Sequence, residues 1–315
     1  MGRIAILTGG ADAPGMNAVL RSAAAAAGGA LGIRGGFAGL LAVRTEPLTP
    51  EGTAGLAGAA VSFLGGGECP DMKSPDAAAR AAEALRELGA DGLVVVGGDG
   101  SAAAALALAR AGVRVVLVPA TVEDDLRGTD ACLGVDSAVN ALMRHIETLR
   151  AADPPDAPPL VVKVPGRLAG HLVLLSAVAA GARGAILPER PFPWDAFAAA
   201  VGVSGPPPVL TCGEGAGSGT DLEARLQRIR PGAKPRIVEG GPIARSGTPS
   251  YFDRLLGARL GEAAVEALLG GVGGKMIAFR GGRCVPVPLE EVAGRRRQIP
   301  PETFEIAKAA GVMFE

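Results

Sequence analysis

The stretch DGLVVVGGDG, residues 91–100, sets a short apolar run against two glycines, an aspartate and a third glycine, with Ala/Leu-rich sequence behind it. A run of this length, bounded by turn signals and followed by a helix former, reads as one β–α unit whose strand is covered on both faces. The same grammar returns in RIAILTGG (3–10), VRVVLVPAT (113–121) and PLVVKVPGR (159–167), with helices expected over 16–31, 76–88, 101–112 and 136–151. Repeated units of this kind predict an α/β chain with doubly wound parallel sheets. PVLTC (208–212), RIVEGG (236–241) and KMIAFRGGRCVPVP (275–288) are further strand candidates, and SYFDRLLGARLGEAAVEALLGG (250–271) is helical. The Pro-rich breaks AADPPDAPP (151–159) and GVSGPPPVL (202–210) bracket a middle segment expected to form a second lobe.

Composition narrows the function classes. A chain of 315 residues with 48% hydrophobic content can bury a sizeable core. Lys+Arg 31 against Asp+Glu 32 leaves a net charge of -1, so no global field recruits nucleic acid or an anionic membrane. Basicity for phosphate binding must therefore be local. Cys69, Cys132, Cys212 and Cys284 are scattered without ligand spacing, and His145 and His171 are the only histidines, which argues against a structural zinc. The N-terminus enters a strand without a basic leader, and the Ala-rich 23–31 is too short and Gly-interrupted to span a bilayer; a cytoplasmic protein is the expectation. His145 reads as a surface or interface residue, and GRRRQIPPE (294–302) as a solvated connection between lobes.

Open α/β sheets bind ligands beyond the carboxyl ends of their strands, so the turns there carry the chemistry. In TGGADAPGMN (8–17), Gly9 and Gly10 let backbone approach an anion at the start of a helix. In GGDGS (97–101), Asp99 sits among glycines, either as a helix cap or as a carboxylate for a Mg²⁺ that bridges phosphates. In PATVEDD (119–125), a Thr and three acids follow a strand. Such a set offers a hydroxyl, a base and a metal ligand for phosphoryl transfer, or else forms a solvated acidic turn.

Taken in this order, the turns resemble the phosphofructokinase family. LTGGADAPGMNAVLR (7–21) is similar to the family's LTSGGDAPGMNAAIR, and PATVEDDLRGTDACLGVDSA (119–138) to its PGTIDNDIxGTDxTIGFDTA. VVKVPGRLAGHLVLLSAVAAGARGAILPE (161–189), GEG (213–215) and GGPIARSGTPSYFDRLLGARLGEAAVEALL (240–269) extend the likeness over nearly the whole chain. The resemblance implies two doubly wound three-layer (αβα) lobes with the site in the cleft between them: 1–134 plus 246–295 for nucleotide, 135–245 plus 296–315 for sugar phosphate. It implies ATP-dependent phosphoryl transfer to the 1-hydroxyl of fructose 6-phosphate, a step of glycolysis, with Mg²⁺ and ATP as cofactors. Gly10, Ala11, Gly97, Gly98, Gly100 and Ser101 would line the nucleotide, and Asp99 and Asp125 would hold Mg²⁺. Glu123 would be the base, and Thr121 and Arg167 would flank the transferred phosphoryl. Glu214, Arg236 and Arg245 would face the fructose phosphate, and Arg21 an effector. Gly100 and Ala120 favour ATP, because pyrophosphate-dependent relatives usually carry Asp and Lys there. A homo-oligomeric dimer of dimers follows from the resemblance.

The chain also departs from the family where chemistry would occur. Glu123 replaces an Asp, and its extra methylene displaces the carboxylate by about 1 Å. Ala11 replaces a glycine, Glu68 stands where active members place an Arg, Asp124 replaces an Asn and adds charge beside the metal, and Pro158, Pro165 and Pro242 replace acceptor-side residues. Ala25 stands where a second effector arginine would be, one turn after Arg21. His171 adjoins the acceptor motif in sequence only. Two readings stay open: a weakened or retuned kinase, and a noncatalytic homologue, in effect a pseudoenzyme, that binds sugar phosphate or nucleotide and pairs with an active paralogue.

Overall fold

The computed structural model describes residues 2–154, 157–201, 207–229, 232 and 234–315. The described chain forms two compact units, Met1–Ser137 with Arg245–Arg297, and Ala138–Ala244 with Gln298–Glu315. Its strands are β1 Ile4–Thr8, β2 Ala30–Ile33, β3 Thr45–Leu48, β4 Gly92–Gly97, β5 Val115–Pro119, β6 Leu160–Val164, β7 Gly184–Ile186, β8 Val209–Gly213, β9 Arg236–Glu239, β10 Lys275–Arg280 and β11 Arg283–Pro288.

The first unit holds a seven-stranded sheet in the order β11-β10-β5-β4-β1-β2-β3. From β10 through β2 the strands run parallel, and the edges β3 and β11 are antiparallel. β1, β4 and β5 are buried along their whole length, as their unbroken Ile/Leu/Val runs require. Helix Met16–Ala26, which follows the first glycine turn, packs on helix Tyr251–Leu269. Gly257 and Gly261 set that approach: a Cβ on Gly257 would stand 3.0 Å from Ala18 Cβ and from the Gly15 carbonyl, and one on Gly261 would overlap Val19 and Ser22.

The second unit carries a four-stranded, wholly parallel sheet, β7-β8-β6-β9. One side is covered by Phe192, Phe197, Leu222 and Leu226, packed on Val161, Leu210 and Cys212. Phe192 meets Trp194 and Phe197 edge-on at centroid distances of 4.8 and 5.3 Å, the preferred arrangement of aromatic pairs.

Several expectations need correction. The helix expected over 16–31 ends at Ala26, because Gly28 and Gly29 take positive φ and turn the chain into β2. The candidate strand 275–288 is a hairpin: Gly281 and Gly282, at φ 54° and 79°, make the two-residue turn that joins β10 to β11. The Pro-rich breaks do not bound the second unit, which begins at Ala138, inside helix Val135–Ala151. Residues 155–156 and 202–206 of those breaks lie outside the described residues. His171 is buried as the first residue of helix His171–Ala180. Among the described residues, no helix is long and apolar enough to cross a membrane.

Candidate active site

The carboxyl ends of β1, β4 and β5 lie side by side, and the turn beyond each carries one of the motifs above. The turns are stitched together by main chain: Gly9 N–H donates to Val96 O at 2.9 Å, and Ala120 N–H to Gly97 O at 3.0 Å. Gly97 must be glycine, since a Cβ there would overlap Ser101 and stand 2.8 Å from Gly9 O. The buried Ser101 hydroxyl lies against Gly9 and Gly97 in this turn. A Cβ on Gly98 would stand 3.3 Å from Thr121 Cβ, which brings the second turn against the third. Gly100 is exposed, with open space where a side chain would project.

Gly10 has φ 75° and donates to Gly67 O at 3.2 Å, so the segment Gly65–Gly67 lies beside the first glycine turn. Thr8 Oγ1 donates to Gly65 O at 2.7 Å, and Asn17 bonds the main chain of Ala59, Val61 and Phe63 to hold the same segment. Ala11 is exposed at the mouth of this turn, as is Glu68 beyond Gly67. Arg21 and Ala25 are exposed on helix Met16–Ala26.

The acids divide into three environments. Asp99 is exposed as the first residue of helix Asp99–Arg110, where its Oδ1 accepts from Gly100 N–H at 2.7 Å. Thr121 Oγ1 accepts from Glu123 N–H at 3.1 Å, which leaves its own proton free to donate, and the Glu123 carboxylate stands 3.9 Å from Arg245. Asp125 is 7% exposed. Burial, with the charges of Asp99 and Glu123 behind it, pushes its carboxyl from the ordinary 3.8 up to about 6, against the pull of Arg296.

Asp124, expected to add negative charge beside the metal, is paired with a cation in the structure. It is buried at φ 53°, accepts from Cys132 N–H at 3.3 Å, and forms an ion pair with Arg297 at 2.6 Å. Burial pushes its carboxyl above the ordinary range, with Arg297 opposing. Arg296 and Arg297 are site residues that the sequence reading missed by treating GRRRQIPPE as a solvated connection; no local signal marks them. A bridge between Leu126 and Arg296, distant in sequence, brings them to the acids.

In the second unit, Arg167 follows β6 and Glu214 follows the adjacent β8. Their turns are joined by Glu214 N–H to Val164 O and Gly215 N–H to Gly166 O, both at 3.1 Å. Arg236 is not with them. It opens β9, which runs parallel to β6, so it stands at the opposite end of this sheet and pairs with Asp153 at 2.7 Å.

The donor set is compatible with Mg²⁺. Among the described residues, no cluster of three or more His, Cys, Asp or Glu could cage a metal by itself. Two mutually repelling carboxylates, Asp99 and Asp125, match an ion that takes one or two carboxylates and completes its shell with phosphate and water.

Comparison with known proteins identifies the family. A family model for phosphofructokinase matches residues 3–268. The ATP-dependent 6-phosphofructokinase of Thermotoga neapolitana is 34% identical over 318 residues, covering 98% of this chain and 99% of its own. That of Bacillus velezensis is 31% identical over 320 residues, covering 99% and 100%. In fold, the chain is similar to Pichia pastoris phosphofructokinase in the T-state, with TM-score 0.83 and 24% identity over 98% of this chain and 38% of that one. It is likewise similar to the pyrophosphate-dependent phosphofructokinase of Marinobacter aquaeolei, with TM-score 0.82 and 19% identity over 99% and 92%. With its glycine turns and acids on neighbouring strand ends and this likeness along nearly its full length, the chain belongs to the phosphofructokinase family.

Proposed function

We propose that the chain is an ATP-dependent 6-phosphofructokinase that moves the γ-phosphoryl of ATP to the 1-hydroxyl of fructose 6-phosphate. The observation that carries the reading is the convergence of Asp99, Glu123 and Asp125 on neighbouring strand ends beside glycine backbone. The first unit is assigned to nucleotide and the second to sugar phosphate.

Gly10, Ala11, Gly97, Gly98 and Gly100 offer backbone to the phosphates, and the open space at Gly100 suits a nucleotide donor. Asp99 and Asp125 would hold Mg²⁺, which when bound supplies neutralisation of phosphate charge. Glu123 accepts the proton of the sugar hydroxyl, with Arg245 beside it to orient the carboxylate. Thr121 directs its free hydroxyl proton to a phosphoryl oxygen, and Arg167 neutralises charge there. Glu214 orients the sugar. Arg236, at the other end of its sheet from Arg167 and Glu214, is assigned to a sugar phosphate shared with another copy of the chain in a homo-oligomer.

Turnover is weakened in this reading. The longer Glu123 displaces the base by about 1 Å, a change that can cost roughly 100-fold. Glu68 adds a negative charge close to the first phosphate turn. That placement of Glu68 also favours a second reading, a noncatalytic homologue that binds sugar phosphate or nucleotide and assembles with an active paralogue.

A coupled assay with Mg-ATP and fructose 6-phosphate, run beside calorimetric titration of both ligands, separates the two. Saturable turnover that Asp125→Ala abolishes supports the kinase. Binding of both ligands without turnover overturns it in favour of the second reading.

A further inference from the structure

The acidic turn is gripped at two points by one distant residue. Arg297 N–H donates to Asp125 O at 2.8 Å, and Arg297 Nη1 bonds Asp124 Oδ2 at 2.6 Å, across 173 positions of sequence. The backbone bond is part of an isolated antiparallel bridge that sets Arg296 opposite Leu126. Asp124 lies between Glu123 and Asp125, and its backbone has φ 53°, a left-handed conformation that is costly for most non-glycine residues and that Asp takes more readily when its side chain is held by hydrogen bonds. What holds it here is visible: Cys132 N–H on one carboxylate oxygen and Arg297 on the other. A buried carboxylate that lost its cation would be expelled toward water, and the turn would open with it.

We propose that Arg297 is a positioning residue for phosphoryl transfer: through Asp124 and the Asp125 carbonyl it fixes the left-handed turn that aims Glu123 and Asp125. Arg297 touches no reacting atom in this account. It is also the last residue of the first unit, with Gln298 opening the second, so the chain leaves the unit at the point where it clasps the acids. The inference rests on the kinase reading for its catalytic meaning, whereas the clasp itself is a property of the turn.

The test compares full-length wild type with Arg297→Met, Arg297→Lys and the double variant Asp124→Asn/Arg297→Met. Each is assayed for kcat and KM with Mg-ATP and fructose 6-phosphate, and for amide hydrogen exchange across residues 122–133. Arg297→Met is expected to lower kcat about 100-fold with KM for the sugar phosphate changed less than about threefold. Arg297→Lys, which keeps the cation, is expected to recover at least about tenfold of that loss. The double variant is expected to outperform Arg297→Met, because a neutral Asn needs no cationic partner. Exchange at Cys132 should rise in Arg297→Met and fall back in the double variant. Unchanged kcat and unchanged exchange in Arg297→Met would overturn the inference, as would a loss in kcat that the double variant does not relieve. Should Arg297→Met fail to fold, the double variant decides by the same measurements against wild type. Wild type without turnover would refute the kinase reading alone, and the exchange contrast would still decide whether Arg297 clasps the turn.

Discussion

The carboxylate of Asp253, buried near the start of helix Tyr251–Leu269, accepts from Ser137 N–H and from Gly134 N–H, each at 2.8 Å, and also from the Ser137 hydroxyl. Three donors converge on one side chain, and together they tie the start of helix Val135–Ala151 to the helix that backs the first glycine turn. Asn at this position presents an amide N–H₂ where an acceptor is needed, leaving at least one buried donor unmatched. Asp253→Asn is expected to cost about 2–4 kcal/mol, read as a lower urea midpoint at unchanged m-value.

Asp125 gives metal-free stability a pH dependence of definite sign. Its folded carboxyl titrates at about 6 against an ordinary 3.8, so between these values the folded state keeps a proton that the unfolded state has released. Stability therefore falls as pH rises through this window, by roughly 3 kcal/mol for a shift of about two units. In metal-free protein, Asp125→Asn should flatten that part of the profile, measured by urea unfolding from pH 4 to 7.

In the proposed metal site the same proton would compete with a divalent cation. Titration with Mn²⁺ in the presence of ATP should show affinity weakening below pH 6, up to about tenfold per pH unit where one proton must leave. An affinity constant from pH 5 to 7.5 would remove Asp125 from the metal site.

In the proposed kinase, Glu68 and Glu123 would weaken turnover in different ways, one through charge near the first glycine turn and one through the reach of the proposed base. Glu68→Arg should lower KM for Mg-ATP, while Glu123→Asp should raise kcat, by up to about 100-fold where base placement limits the rate. No gain from the combined variant in steady-state assays would refute this account of the defect.

Gly215 leaves no room for a side chain, because a Cβ there would run into the Arg167 carbonyl. Gly215→Ala must displace the turn that carries Arg167. A loss of about 3 kcal/mol of stability, together with a raised KM for the sugar phosphate, is the expected result of unfolding and steady-state measurements.

The parts of this structure that were legible from sequence are those that local physics determines. β1, β4 and β5 announce themselves as unbroken apolar runs closed by glycine, and the positions beyond them carry Gly10, Asp99 and Thr121. β2 and β3 escaped notice because ALGI and TEPL are short and weakly patterned, and only pairing beside β1 makes them strands. The short basic GRRRQIPPE reads from sequence as a solvated connection, whereas the partner of Arg297 is fixed by register across the fold. Arg236 shows the converse. Its motif placed it with Arg167 and Glu214, yet strand direction puts it at the other end of the sheet.

The glycines at 257 and 261 have a mechanical consequence. With no side chain at either position, helix Tyr251–Leu269 sets its backbone close against helix Met16–Ala26, and any side chain added there would collide with Ala18, Ser22 or the carbonyls of Gly15 and Val19. The support beneath the first glycine turn is thus a close backbone contact between two helices. In the proposed nucleotide site, adjustment to a phosphate would then fall to the turns above that contact, Gly10 and the Gly65–Gly67 segment hydrogen-bonded to it.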